Sequence, residues 1–170
     1  VSFITTADLG TSPISSIPYV LSLNAPLSLG QFTILFNLLI VLVQLPILKK
    51  QFQWERWLQV PVTLLFGWFI DLTMVPLAAI APQTYLWKLG FLLLGCLILG
   101  FGVYLEMAAN VAMLPGESFV RAVSTTWHRD FGLTKIVFDV SMSLTAAGLS
   151  LILAHTLDGV REGTLIAALL

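Results

Sequence analysis

Three acidic residues lie inside long stretches of this sequence that are otherwise apolar. Asp71, Glu106 and Asp139 stand among Leu, Ile, Val, Phe and Ala side chains. If such stretches are surrounded by lipid, each charge costs at least about 2.5–3.5 kcal/mol to insert, so it usually faces a protein interior or a water-filled cavity. A carboxylate there can take up a proton, bind a cation or accept hydrogen bonds from a solute. We therefore treat the three acids as candidate binding residues.

Each of these acids also has a structural interpretation. Glu106 precedes Asn110 by one turn, so both residues share one helix face. Asp139 follows Lys135 by one turn, and the two can form a local salt bridge near the membrane interface. A hydrogen bond to another helix would explain Asp71 and Glu106 equally simply. The residue types and spacings leave binding and structural roles open.

Two short apolar segments, 13–23 and 115–126, each begin with a proline, which favours the first position of a helix. Polar breaks precede both. Interrupted helices at matching places in two inverted halves are typical of transporter binding sites, because the amide ends of short helices donate to anionic or polar ligands. Both breaks also fit ordinary loops at the membrane surface. Their candidate binding residues are Asp8, Thr11, Ser12, Ser15, Asn110 and Glu117.

A polar cluster from Arg161 to Thr164 opens the last apolar run. Glu162 suits the positive end of a helix, but Arg161 does not and needs a partner. That partner is either Asp158, an acidic ligand or a carboxylate within the membrane. We include Arg161, Glu162 and Thr164 in the candidate binding site.

Signatures of an enzyme or a metal site are weak. His128 and His155 lie on or near opposite predicted faces and do not form a metal pair. Metal-ligand spacing, a nucleophile elbow and a phosphate-binding loop are all missing from the sequence. We therefore expect no enzyme activity, no metal and no cofactor.

The composition indicates a membrane protein, with 58% hydrophobic and only 10% charged residues and a mean hydropathy of +0.95. The net charge of −1 gives no support for a nucleic-acid partner. About 20 apolar residues of helix cross a bilayer. The predicted spans are 31–48, 57–81, 86–113 and 133–154, flanked by partial spans at 1–7 and 160–170 that we interpret as truncated helices.

An internal repeat relates the two halves of the chain, because a shift of 102 positions aligns residues 1–38 with 103–140 without a gap. Two polar pairs exchange an acid for its amide: Asp8 with Asn110, and Asn37 with Asp139. For this reason Asn37 joins the candidate binding residues. The alternative explanation is the general likeness of any two apolar helices.

Each repeat contains a helix, a short broken segment and two more helices. Three crossings are an odd number, so the two halves must be inverted relative to each other. We predict an all-α, polytopic membrane helical bundle of two inverted repeats, 1–81 and 82–170, each with about three transmembrane helices and a short broken or re-entrant segment. Positive charge gathers on the cytoplasmic side, which places the basic loop 49–56 in the cytoplasm.

Several segments resemble one known family of membrane proteins. They are 8–18 (DLGTSPISSIP), 66–74 (FGWFIDLTM), 102–110 (GVYLEMAAN), 113–117 (MLPGE) and 159–164 (GVREGT). In these segments the chain is similar to the uncharacterised bacterial membrane proteins related to YczE and YitT, and more so to YczE. The resemblance implies a multi-pass protein of the bacterial cell (inner) membrane with no assigned activity.

The repeat and the embedded acids together favour a small secondary transporter or channel-like carrier. Its partners would be the lipid bilayer, a small polar or anionic solute and a coupling cation. The alternative is a membrane scaffold or regulatory partner that transports nothing and uses its polar groups to lock helices together. A closed interior with every acid paired would indicate the scaffold.

Overall fold

The computed structural model describes residues 1–48, 57–80, 82–109, 113–154 and 164. Over these residues the chain is helical and contains no strand, which confirms the all-α class. The helices are α1 (Ser2–Thr6), α2 (Pro13–Asn24), α3 (Leu29–Leu48), α4 (Gln59–Ala78), α5 (Tyr85–Ala109), α6 (Pro115–Thr126) and α7 (Phe131–Ala154).

Four of these helices, α3, α4, α5 and α7, are long and apolar enough to cross a membrane. Their outer faces carry large apolar side chains, and Leu97 of α5 is 72% exposed. Such faces on helices of this length are typical of lipid contact, and the polytopic helical membrane bundle is confirmed. The predicted spans match these helices within a few residues, except that Met113 lies outside α5, in the segment that precedes α6.

The two short helices lie at the centre of the bundle. Both α2 and α6 pack against α3 and α7, while α1 packs against α4 and α5. Val120 of α6 is fully buried between Ile40 of α3 and Phe138 of α7. Val20 of α2 is likewise buried, beside Ala146 of α7. The short segments are therefore parts of the core and not surface connections.

The starts of the helices follow the repeat in the sequence. The same shift of 102 positions takes the start of α2 to the start of α6, and the start of α3 to that of α7. It also relates two capping residues. Ser28 and Gln31 exchange hydrogen bonds at the start of α3, and Asp130 accepts from the Leu133 amide at the start of α7. The inverted orientation of the halves and their division at residue 81 stay predictions.

Two glycines allow α3 and α4 to approach each other closely. A Cβ added at Gly30 would lie 2.2 Å from the backbone oxygen of Gly67, and one at Gly67 would lie 2.7 Å from the backbone oxygen of Gly30. Within lipid there is no hydrophobic driving force between helices, so their association depends on close packing. Small residues at a helix crossing permit that tight backbone contact.

Gly30→Ala is expected to destabilise the bundle by about 1–3 kcal/mol, because the new methyl group overlaps the backbone of α4. Gly90→Ala is the matched control, since a Cβ at Gly90 meets nothing within 4 Å. Thermal unfolding in detergent measures both. Equal melting temperatures for the two variants would contradict the close packing of α3 on α4.

Candidate functional site

A cavity of about 350 Å³ lies between α5 and α7, where α2 and α6 begin. This volume is within the range of ligand pockets, about 300–1,000 Å³. Polar residues occupy one part of its wall and apolar residues the remainder. The lining residues are Ser12, Pro13, Ile14, Cys96, Leu99, Gly100, Val103, Glu117, Phe131, Gly132, Lys135, Ile136 and Asp139.

The polar part of the wall holds a cluster of three charges. The Lys135 ammonium lies 3.1 Å from Asp139 Oδ1 and 3.4 Å from Glu117 Oε1. Both acids are only 5% exposed. The two salt bridges offset part of the cost of removing these charges from water.

Helix geometry explains how the cluster is assembled. Lys135 and Asp139 are four residues apart on α7, so they share one face. Glu117 lies in the first turn of α6, where the helix dipole favours a carboxylate. The Phe119 and Phe138 rings, with centroids 5.3 Å apart, pack α6 against α7. Asp139 lies eight residues into α7, about 12 Å along the helix axis from its start.

Not every polar atom of this wall is satisfied. Among the described residues, Glu117 Oε2 and Ser12 Oγ have no hydrogen-bond partner, and neither does Ser15 Oγ nearby on α2. Ser12 is 1% exposed and precedes α2 without capping it through its side chain. An unpaired buried polar group costs about 1–3 kcal/mol, so these atoms are available for a ligand that the cavity would hold.

The first predicted break is buried from residue 9 to residue 13, and within it Thr11 makes structural contacts. The Thr11 amide donates to Thr164 Oγ1 at 3.2 Å, and the Thr11 hydroxyl lies 2.9 Å from that of Thr5. Thr11 and Thr164 are fully buried. Thr164 thus holds Thr11 in place, and neither residue lines the cavity.

Two of the three acids first singled out lie elsewhere. Asp71 accepts from the Ser28 hydroxyl at 2.6 Å and from the Gly30 amide at 2.8 Å, so its carboxylate caps the start of α3. Glu106 accepts from the Leu114 amide and thereby holds the segment before α6. Neither residue lines the cavity. The structural interpretation is thus the one that their contacts support.

The remaining predicted residues are dispersed. Asp8 forms a 2.8 Å ion pair with Lys88, and its side chain is 66% exposed. Asn37 is buried in α3 and is not part of the cavity wall. Three others lie outside the described residues: Asn110, Arg161 and Glu162. Of the predicted set, the cavity wall therefore contains Ser12, Glu117 and Asp139.

Lys135 was considered only as a salt-bridge partner, yet it is the centre of the cluster. The signal for it was present, because a lysine inside a predicted membrane span calls for a functional explanation. The apolar wall from α5 carries no such signal. Over the part of the chain that is described, no group of three His, Cys, Asp or Glu side chains is placed to hold a metal ion.

A second polar group, entirely neutral, connects α6 to the first half of the chain. Gln44 Nε2 donates to the Pro115 carbonyl at 2.9 Å, and the Ser118 hydroxyl donates to Gln44 Oε1 at 3.2 Å. Gln59 Nε2 donates to Ser118 Oγ at 2.7 Å. These side chains are buried. The sequence analysis did not identify this group.

Lys135→Met is expected to destabilise the protein by about 3–5 kcal/mol, because two buried carboxylates lose their counter-charge. Adding Glu117→Gln and Asp139→Asn should restore most of that loss. Lys88→Met, which breaks the exposed pair with Asp8, is the control and should cost at most about 1 kcal/mol. Unfolding in detergent measures all three variants. No recovery in the triple variant would contradict a coupled cluster.

Comparison with known proteins places the chain in a family. The model of a family of unknown function, DUF6198, matches residues 1–170, the whole of the chain. No curated protein and no solved structure gives a significant match. To this family match the structure adds a helical membrane bundle with charged residues around an internal cavity. This membrane-type helical chain belongs to DUF6198, a family of unknown function.

Proposed function

We propose that this protein is a small secondary transporter whose substrate site is the cavity between α5 and α7. The observation that carries the proposal is the cluster of Lys135, Glu117 and Asp139 on the wall of that cavity. Charged residues inside membrane spans usually mark the path of a substrate, an ion or a proton.

The polar wall of the cavity is incompletely paired, and an unpaired buried polar group opposes folding unless a ligand satisfies it. Unpaired atoms also occur outside the cavity, at Gln59 Oε1 and Thr63 Oγ1. In the wall itself, Glu117 Oε2 and Ser12 Oγ lack partners among the described residues and both belong to cavity-lining side chains. These two atoms favour a solute site over a static salt bridge.

The acids of the cavity are better placed for a coupling role than Asp71 and Glu106. Asp71 and Glu106 are engaged by backbone amides. Glu117 and Asp139 share one lysine instead, so a change in one ion pair alters the charge balance that the other carboxylate experiences. We assign to Glu117 or Asp139 the uptake of a proton or coupling cation during the transport cycle.

Alternating access would use the two halves of the chain. The short helices α2 and α6 both contact α3 and α7, and so each of them connects the halves. An inverted arrangement would let the cavity open to opposite sides as one half rocks against the other. The cytoplasmic position of the loop 49–56, which lies outside the described residues, and the bacterial inner membrane as location belong to this proposal, as does the similarity to YczE and YitT.

A second candidate function, a non-transporting scaffold, is favoured by the neutral group around Ser118. Its hydrogen bonds to Gln44 and Gln59 lock α6 against α3 and α4 in a buried position. If the whole bundle were as rigid as this contact, the protein would serve as a membrane platform for a partner.

Transport is tested with the full-length protein in vesicles that contain a pH-sensitive dye, to which amines, amino acids and carboxylates are added in turn. A proton-coupled carrier gives a pH change with its solute, and Glu117→Gln and Asp139→Asn should each abolish it. Asp71→Asn is the matched control, because its carboxylate lies outside the cavity, and it should retain the rate per folded molecule.

Wild-type rates in both cavity variants would remove the proposed roles of Glu117 and Asp139. Absence of any solute-dependent signal with the wild-type protein, together with retained folding, would favour the scaffold.

A further inference from the structure

The charge balance of the cavity opposes an anionic ligand. Glu117 and Asp139 carry two negative charges on the wall, and Lys135 carries the one positive charge among the described lining residues. A ligand with one positive charge would bring the wall near neutrality.

The amide donors that an anion would need are largely occupied. At the start of α6, the Leu114 amide already donates to Glu106, and Glu117 occupies the first turn. At the start of α2, Pro13 has no N–H, and the Ser15 amide donates to the Ser12 carbonyl at 2.9 Å. Several amides at the helix ends that suggested an anion site in the sequence are thus engaged by the protein itself.

The unpaired oxygen atoms of the cavity wall can accept hydrogen bonds, so a fitting ligand would supply hydrogen-bond donors. Glu117 Oε2 is a carboxylate oxygen, which accepts hydrogen bonds only, and Ser12 Oγ can also accept. An ammonium group offers three N–H donors and one positive charge. The Lys135 ammonium engages Oε1 of Glu117 and Oδ1 of Asp139, and so Oε2 remains for a second cation.

The rest of the wall indicates an apolar body for the ligand. Ile14, Leu99, Val103, Phe131 and Ile136 cover most of the surface that the charges leave. Since one water occupies about 30 Å³ in the liquid, the cavity of about 350 Å³ has room for a molecule of roughly a dozen non-hydrogen atoms. A hydrated metal ion would leave this apolar surface without a partner.

We propose that the cavity binds a small monovalent organic cation, a primary amine with a compact apolar body whose ammonium group contacts Glu117 Oε2 and Ser12 Oγ. The inference rests on the proposed transport site and names its substrate class. It replaces the anionic solute that the helix ends suggested in the sequence.

Three ligands of one shape and different charge test this directly: cyclohexylammonium, cyclohexanol and cyclohexanecarboxylate at neutral pH. Binding to the full-length protein in detergent is measured by calorimetry and by thermal shift. The ammonium should bind and raise the melting temperature, whereas the other two should not. Glu117→Gln should weaken its binding about ten- to hundredfold, as expected for a lost charge-assisted hydrogen bond.

Ser12→Ala is the milder variant in case Glu117→Gln does not fold, and it should weaken binding several-fold while the melting temperature without ligand changes little. Asp71→Asn, outside the cavity, should leave the affinity unchanged. Equal binding of cyclohexanol, or tighter binding of the carboxylate, would overturn the proposal.

Vesicle flux separates this inference from the transport function. Glu117-dependent flux of an anion or a neutral solute, with no amine binding, would keep the carrier and overturn the cation. Amine binding that depends on Glu117 without any flux would support the cation and overturn the carrier.

Discussion

The position of Lys135 between Glu117 and Asp139 is the constraint on which the rest of this structure depends. Charges in a bilayer are tolerated only when they are paired and shielded from lipid. The lysine comes from α7 and one acid from α6, so these two helices must remain in contact for the cluster to be paired. The aromatic contact between Phe119 and Phe138 meets that requirement, because it packs the same two helices together.

A buried short helix is what allows such a cluster to exist inside a small bundle. A full-length helix would place its first turn, with its unsatisfied amides, at the membrane surface. α6 begins inside the protein instead, where Glu106 accepts from the Leu114 amide and Gln44 donates to the Pro115 carbonyl. The positive end of the helix dipole then lies beside the cavity and makes a buried carboxylate at Glu117 less costly. The interruption in the sequence thus has a direct electrostatic consequence.

Most of the fold was readable from the sequence, whereas the site was readable only in part. Apolar length predicts α3, α4, α5 and α7, and the prolines at 13 and 115 coincide with the starts of α2 and α6. Both signals are local. The partner of a buried carboxylate is not local, so Asp71 looked like a site residue although it caps α3, and the cavity wall from α5 had no polar residue to announce it. In a helix that is apolar on all sides, hydrophobic periodicity also does not show whether a polar side chain faces the protein interior or the lipid.

The second repeat has charged residues where the first has neutral polar ones, and this difference bears on how the protein would move. The repeat positions of Glu117, Lys135 and Asp139 are the buried, uncharged residues Ser15, Thr33 and Asn37.

On α6 itself, Ser118 bonds the neutral group of the first half, while its neighbour Glu117 faces the charges of the second. Breaking the neutral contact would remove the acceptors of the buried Gln44 and Gln59 amide groups, and the donor to Gln44 Oε1. Breaking the contact of Glu117 with Lys135 leaves each with an alternative, since Lys135 retains Asp139 and Glu117 gains a proton or a cationic ligand. In a carrier, α6 would therefore move together with the first half of the chain and separate from α7 at the charged cluster.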